Sequence, residues 1–461
     1  MNRTLWLSAF VLWIAVATGC AHYPVNPPLK QVDPGSGYRG TTMGTTGSSE
    51  NLLLYLTFSG GGTRAAALSY GVLEELRRTE VVIDGKKRRL LDEVDAISSV
   101  SGGSFTAGYF GLFGERIFED FETKFLKKNI QGALAVRTLF NPINWFRLSS
   151  STFDRSDLAA EYYDEHIFEG RTFGDIAARK GPMIMMNASD MTHGLRVGFN
   201  QDGFDVICSD LSRFPVARAA AASSAVPMLL SPITMRNYAG TCDFKIPEGF
   251  EETFKRQTVS ERQLFLANNI VPFFDSQKKP YIHLVDGGVA DNLGLRAILD
   301  RVLLRGSIWE TIKGTPMENV HKVVLIVVNA ETQPDTKWDR SEGIPTLGAM
   351  MSAYSSIAIE RYNQETIALI KESARSWTEE IKAQRCEGEP VSPTPGSCGD
   401  IQFYVVEVKF DALRDETERM YFKRLPTSFK LNPEQVDKLR DVAHRILVES
   451  EEFQRLLGDL R

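Results

Sequence analysis

Apolar residues along this chain fall into short continuous runs separated by segments with helical spacing. Leu52 to Phe58 is nearly all apolar, as expected of a strand buried on both faces in a parallel sheet. It ends at three glycines, after which Ala65, Leu68, Val72 and Leu76 recur every three to four residues and predict an amphipathic helix. Asp95 to Val100 followed by Phe105, Tyr109 and Leu112 repeats the plan of strand, glycine turn and helix. Further runs at Met183 to Met186, Ile282 to Val285, Val323 to Val328 and Phe403 to Val408 predict more strands. Leu347 to about Gln384 reads as a long helix. Val436, Leu439, Val442, Ile446 and Leu447 give an amphipathic helix from Pro433. The pattern predicts an α/β fold, a largely parallel central sheet covered by helices in three layers, with a mostly helical C-terminal extension.

The first fifty residues stand apart. Arg3 precedes an apolar run from Leu5 to Ala17, shorter than the roughly 20 residues of a membrane span. Ala17-Thr18-Gly19-Cys20 closes it and resembles a bacterial lipobox, with Ala17 in the place usually taken by leucine. This resemblance implies a signal peptide over 1–19 and lipidation of Cys20. Ala21 after the cysteine implies attachment to the outer membrane, facing the periplasm, and a membrane surface as partner. Residues 20–50 are rich in Pro, Gly, Ser and Thr and predict a flexible tether. The remainder divides into a core over 51–335 and an extension over 336–461 packed on it.

Composition narrows the options. A net charge of −6 over 461 residues argues against nucleic acid as a partner, which requires a basic face. Of the five cysteines, Cys386 and Cys398 flank a Pro/Gly/Ser-rich loop and read as a local disulfide. Cys208 and Cys242 are left either as a second bridge or as unlinked thiols. No C-x-x-C spacing or histidine cluster accompanies them, so neither metal nor cofactor is expected. Nothing in the pattern specifies an oligomeric state.

Three glycine-bearing segments carry the chemistry. Ser59-Gly60-Gly61-Gly62-Thr63-Arg64 places unobstructed amides at a helix start, which suits an oxyanion, a phosphate or a bare tight turn. Ser99-Val100-Ser101-Gly102-Gly103 sets a serine on a strand-to-helix turn, with Gly103 giving room two places on. The alternative for Ser101 is an ordinary helix N-cap. Asp286-Gly287-Gly288 ends a strand with a carboxylate that either activates the serine or simply forms a turn. None of the six histidines, His22, His166, His193, His283, His321 and His444, has a triad context.

In this order the three segments resemble the patatin-like phospholipase family, and Ala222-Ser223-Ser224-Ala225-Val226-Pro227 resembles a further block of it. Ser99 departs from the family's usual glycine. The resemblance implies a serine-dependent lipid acyl hydrolase acting on phospholipid or another lipid ester. Ser101 would be the nucleophile, Asp286 its base, and Gly60, Gly61 and Gly62 the oxyanion donors. Arg64, Gly103, Gly287 and Gly288 would support the site. An acyltransferase on the same scaffold and a non-catalytic lipid-binding envelope lipoprotein are the alternatives. Leu139 to Phe146, apolar and aromatic around Pro142, suits a lid, a membrane-dipping loop or core; Lys86 to Arg89 reads as a solvated loop after the Asp84-Gly85 turn.

Overall fold

The computed structural model describes residues 21–40, 48–226, 229–246, 250, 259–333, 338–387 and 396–460. Cys20 and the signal segment lie outside the described residues. Among the described residues there are ten strands: β1 Leu52–Phe58, β2 Glu80–Ile83, β3 Lys86–Arg89, β4 Val94–Val100, β5 Met183–Asp190, β6 Arg196–Gly198, β7 Ile233–Arg236, β8 Tyr281–Val285, β9 Lys322–Asn329 and β10 Gln402–Lys409. The main sheet runs β10-β9-β1-β4-β5-β8-β7, with β6 pairing to β5. The five strands from β10 to β5 are parallel to one another, whereas β6, β7 and β8 join antiparallel.

Alternation along the central strands explains why both sheet faces are covered. Leu54, Leu56, Phe58, Val324, Ile326, Val328, Tyr404, Val406 and Val408 point into one core. Helices α1 Gly62–Arg78, α2 Gly102–Phe113 and α8 Pro433–Glu449 cover that face. Tyr55, Leu325, Val327 and Val405 point the other way, against α6 Arg296–Arg305 and α7 Leu347–Arg385. Each strand is thus buried on both faces, and the near-continuous apolar runs follow. The three remaining helices used below are α3 Ile130–Leu139, α4 Pro142–Leu148 and α5 Val216–Ser223.

Several expectations change. Residues 336–461 do more than pack on the core: β10 pairs with β9 along its whole length, Gln402 with Lys322 through Lys409 with Asn329. Lys86–Arg89 is a strand rather than a loop. It pairs antiparallel with β2 across Asp84 and Gly85, both at positive φ, and Val81 and Ile83 of β2 are the buried positions of the hairpin. The tether reading fails for residues 21–40. Tyr23, Asn26, Tyr38 and Arg39 are buried, and the Tyr38 hydroxyl donates to the Ile184 carbonyl (3.1 Å) and accepts from the Ile184 N–H (2.6 Å). Asn26 bonds both Ser209 and Arg236. A Pro/Gly-rich composition carries no periodicity, but a few aromatic and amide anchors suffice to strap the segment down.

The structure joins Cys208 to Cys242 and Cys386 to Cys398, with Cα–Cα separations of 5.7 and 5.1 Å. Among the described residues no helix is long and apolar enough to cross a membrane.

Candidate active site

The three glycine-bearing segments converge at the C-terminal ends of β1, β4 and β8. A Cβ placed on Gly102 would lie 2.0 Å from the Gly62 carbonyl oxygen, so the first two turns touch backbone to backbone. A Cβ on Gly103 would meet Phe58 at 2.7 Å, and one on Gly287 would lie 2.2 Å from the Asn187 carbonyl oxygen and 3.0 Å from Val100. Only glycine permits these approaches. The Gly60 N–H donates to the Asn292 carbonyl (3.0 Å), tying the first segment to the third.

Ser101 sits between β4 and α2 at φ 48°, ψ −119°, a sparsely populated conformation for a residue with a side chain. Its hydroxyl makes no capping bond to the helix, which sets aside the N-cap alternative. Its N–H donates to Ser223 Oγ (2.8 Å), and Ser223 in turn donates to the Asn187 carbonyl (2.6 Å). Ser104 Oγ lies 2.9 Å from Ser223 Oγ and 3.2 Å from Ser99 Oγ. Ser99, fully buried on β4, is accommodated within this hydroxyl network where a glycine is usual.

Asp286 ends β8 and is buried. Its Oδ1 accepts the Gly288 N–H (2.8 Å), the turn bond expected of Asp-Gly, while its N–H donates to the Ala225 carbonyl (3.0 Å). Oδ2 is buried with no formed hydrogen bond. The Ser101 hydroxyl is the side chain that acts on this carboxyl as a donor, in a contact that falls short of a formed bond. Burial pushes the Asp286 carboxyl up to about 6; the Gly288 N–H and the Ser101 hydroxyl oppose that rise. A carboxylate so raised is a stronger base than a solvated aspartate and is still ionised at neutral pH.

The oxyanion assignment needs one correction. Gly60 cannot serve, because its N–H is committed to Asn292. The first N–H groups of a helix have no intrahelical acceptor, and among the described residues those of Gly61, Gly62 and Gly102 take none elsewhere. These amides begin α1 and α2, whose dipoles add positive potential at Ser101. Gly61 and Gly62 hold positive φ, 140° and 61°, which glycine alone adopts easily.

Arg64 is buried. It donates to the carbonyls of Ala330 (3.1 Å) and Leu425 (2.5 Å) and to Thr427 Oγ1 (3.0 Å), and burial without a carboxylate partner lowers its guanidinium to about 10. It therefore braces the glycine loop against the C-terminal region, which also takes the Thr63 N–H on the Ser428 carbonyl (2.9 Å). Among these contacts no histidine bonds Ser101 or Asp286: His166, His193, His283, His321 and His444 bond Tyr162, Asp190, Thr234, Asp400 and Glu75, and His22 packs on Tyr23.

A cavity of about 310 Å³ adjoins Ser101 and Gly62, walled by Leu134, Leu139, Leu158, Tyr163, Leu230 and Phe429. Its apolar lining and its position beside the serine suit an acyl chain. A larger charged groove between α1 and α8, about 1170 Å³, contains none of these site residues.

Sequence reasoning missed Asn187, Ser189, Asn292 and Phe429. Asn187 and Ser189 are polar positions inside the strand that continues the apolar run from Met183, and that interruption is the available signal. Asn187 Nδ2 donates to Ser98 Oγ (2.9 Å) and the Ser99 carbonyl (3.0 Å); Ser189 donates to the Asp286 carbonyl (2.9 Å) and accepts the Ala290 N–H (3.0 Å). The Ala222–Pro227 block supplies Ser223, and Pro227 lies outside the described residues. Ser223→Ala removes the acceptor of the Ser101 N–H and unpairs the Asn187 carbonyl. It should lower kcat about 10- to 100-fold with little change in KM, and destabilise the fold by about 1–3 kcal/mol. Steady-state kinetics beside urea unfolding will read both.

Fold and site together define an α/β protein with a strained strand-to-helix serine, a histidine-free carboxylate partner and helix-start amides. A family model described as patatin-like phospholipase matches residues 56–299, more than half of the chain, and the chain belongs to that family. No curated protein sequence matches it. Among solved structures it is similar to human GIVD cytosolic phospholipase A2, at 12% identity and a TM-score of 0.45, covering 89% of this chain and 60% of that one. The same human enzyme with methyl gamma-linolenyl fluorophosphonate and terbium chloride gives 14% identity and a TM-score of 0.39, covering 89% and 59%. VipD from Legionella pneumophila gives 13% and 0.33, covering 95% and 71%. The chain thus spans about 60% of the length of the human enzyme.

Proposed function

We propose that the protein is a serine-dependent lipid acyl hydrolase that works through a Ser101–Asp286 dyad and an acyl-enzyme. The observation that carries this reading is an uncapped, strained serine on the wall of an apolar cavity, acting as donor to a buried carboxylate whose Oδ2 has no formed bond. Asp286 accepts the Ser101 proton as Oγ attacks the ester carbonyl. The tetrahedral oxyanion is held by the amides of Gly61, Gly62 and Gly102, and collapse expels the alcohol with the proton returned from Asp286. Water then attacks the acyl-serine, giving up its proton to the same carboxylate, and fatty acid leaves with Ser101 restored. The acyl chain lies among Leu134, Leu158 and Phe429. We further infer that Cys20 carries the lipid of an outer-membrane lipoprotein, so that the substrate is an envelope lipid ester.

A fluorophosphonate probe tests the reading directly, because it reports serine activation without knowledge of the headgroup. The wild-type protein should be labelled once and Ser101→Ala should not be labelled. A folded wild-type protein that resists the probe, or a labelled Ser101→Ala variant, excludes the dyad.

A further inference from the structure

The chain between Asn129 and Thr152 forms a helical hairpin whose outer side is apolar. Leu139, Phe140, Ile143 and Trp145 are 60, 76, 69 and 56% exposed. This is no loose lid. Asn129 and Asn141 cap α3 and α4 by accepting the N–H groups of Gly132 (2.8 Å) and Ile143 (3.0 Å), Pro142 starts α4, and buried Asn144 donates to the Arg137 carbonyl (2.9 Å). The Trp145 indole N–H is satisfied by the Leu139 carbonyl (3.0 Å), so its outward ring offers apolar surface alone. Four large apolar side chains held rigidly in water at one tip call for an occupant.

Two independent features say what that occupant is. First, the patch is continuous with the cavity beside Ser101: Leu139 and Leu229 both line the cavity and stand exposed, so the apolar tip borders its mouth. Second, the N-terminal strap ends here. The Ala21 carbonyl accepts bonds from Ser150 Oγ (2.6 Å) and Thr152 Oγ1 (3.1 Å), and the Tyr23 N–H donates to the Thr152 carbonyl (2.8 Å), immediately after α4. Cys20 is one residue further along. The nearby cations are already paired, Arg137 with Glu165 and Arg147 with Glu161, which leaves apolar contact as the attraction.

We propose that the tip of the α3–α4 hairpin is a lipid-docking surface that seats the protein on a bilayer with the cavity mouth facing the acyl chains, Ala21 being pinned beside that same tip. The protein then draws its substrate from the membrane that it rests on. The inference takes the cavity beside Ser101 as the acyl site and so deepens the hydrolase reading.

The test uses the chain from Ala21 onward, which keeps every described residue and carries no lipid. Binding to vesicles of equal phosphatidylethanolamine and phosphatidylglycerol is measured by co-sedimentation and by the part of the tryptophan emission shift that a Trp145→Phe variant loses. Hydrolysis of the vesicle lipid is compared with that of a soluble short-chain ester. Phe140→Ser with Ile143→Ser should weaken vesicle binding at least about tenfold, and vesicle hydrolysis with it. Soluble-ester turnover should stay within about twofold, since neither residue lines the cavity. Ser101→Ala should bind vesicles like the wild type. Binding unchanged in the double variant overturns the proposal, as does binding abolished by high salt or an equal loss on the soluble ester. A concentration-dependent dimer that the double variant dissociates, without vesicle binding, assigns the tip to a second copy of the chain and overturns it too. Hairpin-dependent vesicle binding by a protein that cleaves neither ester would instead leave docking standing and remove the hydrolase reading.

Discussion

Asp286→Asn is expected to lower turnover at least about 10³-fold while making the protein more stable at neutral pH. The loss of rate follows from the chemistry: an amide cannot accept the Ser101 proton, and no histidine is placed to take over. Ser101→Ala should fall as far, and the double variant little further, because the two groups act as one unit. The gain in stability follows from burial. The carboxyl titrates near 6 in the folded protein, against an ordinary value of 3.8, so between these pH values the folded state binds more protons than the unfolded one. Unfolding free energy contributed by this group therefore falls as pH rises through that window, reaching a full cost of about 2–3 kcal/mol above pH 6. Asparagine keeps an oxygen for the Gly288 N–H and turns a donor toward Ser101. The variant should thus match the wild type near pH 4 and exceed it at pH 8. Chemical unfolding at the two pH values measures the difference. The same protonation sets the rate profile: wild-type kcat/KM should rise tenfold per pH unit below about 6 and level above it. A profile flat through pH 6, or an Asp286→Asn variant that keeps wild-type turnover, removes Asp286 as base.

The sheet was legible where burial on both faces made strands continuously apolar, as in Leu52–Phe58 and Val323–Val328. It was not legible at Ile233–Arg236, whose partner Tyr281–Leu284 lies far along the chain, or at Arg196–Gly198, a short half-buried return onto the strand just before it. Lys86–Arg89 hid its strand behind four charges, none of which the two-stranded hairpin buries. The N-terminal strap was unreadable for a different reason: Tyr23 and Tyr38 anchor it at isolated points, and isolated points make no period. The turns that carry Ser101 and Asp286 could be read because the backbone geometry of each forces glycine beside it, and glycine is visible in a sequence. Which glycine N–H groups are left without an acceptor could not be read that way. Whether Gly60 has a free N–H depends on the carbonyl of Asn292, brought alongside by the α/β topology. Likewise Ser428 and Phe429 reach the site only because β10 joins the sheet and returns the chain to α1.

Gly102→Ala separates the close approach of the glycine turns from glycine's conformational freedom. Gly102 begins α2 outside the left-handed region, so alanine suits its backbone and would by propensity favour the helix. The penalty is steric: the new Cβ would stand 2.0 Å from the Gly62 carbonyl, a backbone atom with little freedom to withdraw. The next N–H along, that of Thr63, is bound to Ser428, and Arg64 ties the same turn to Ala330 and Leu425. Relief therefore has to come from sliding α2 away from α1, which moves the Gly61 and Gly62 amides away from Ser101. The variant should lose about 3 kcal/mol or more of stability and fall about 10²- to 10³-fold in kcat, the scale of one misplaced oxyanion donor. Gly85→Ala supplies the contrast. Gly85 has positive φ but nothing within 4 Å of a Cβ, so alanine there should cost about 1 kcal/mol and leave turnover unchanged. Equal kinetics for wild type and Gly102→Ala would mean that the two turns are not held together as a catalytic unit, and that the amides of α1 do not stabilise the oxyanion.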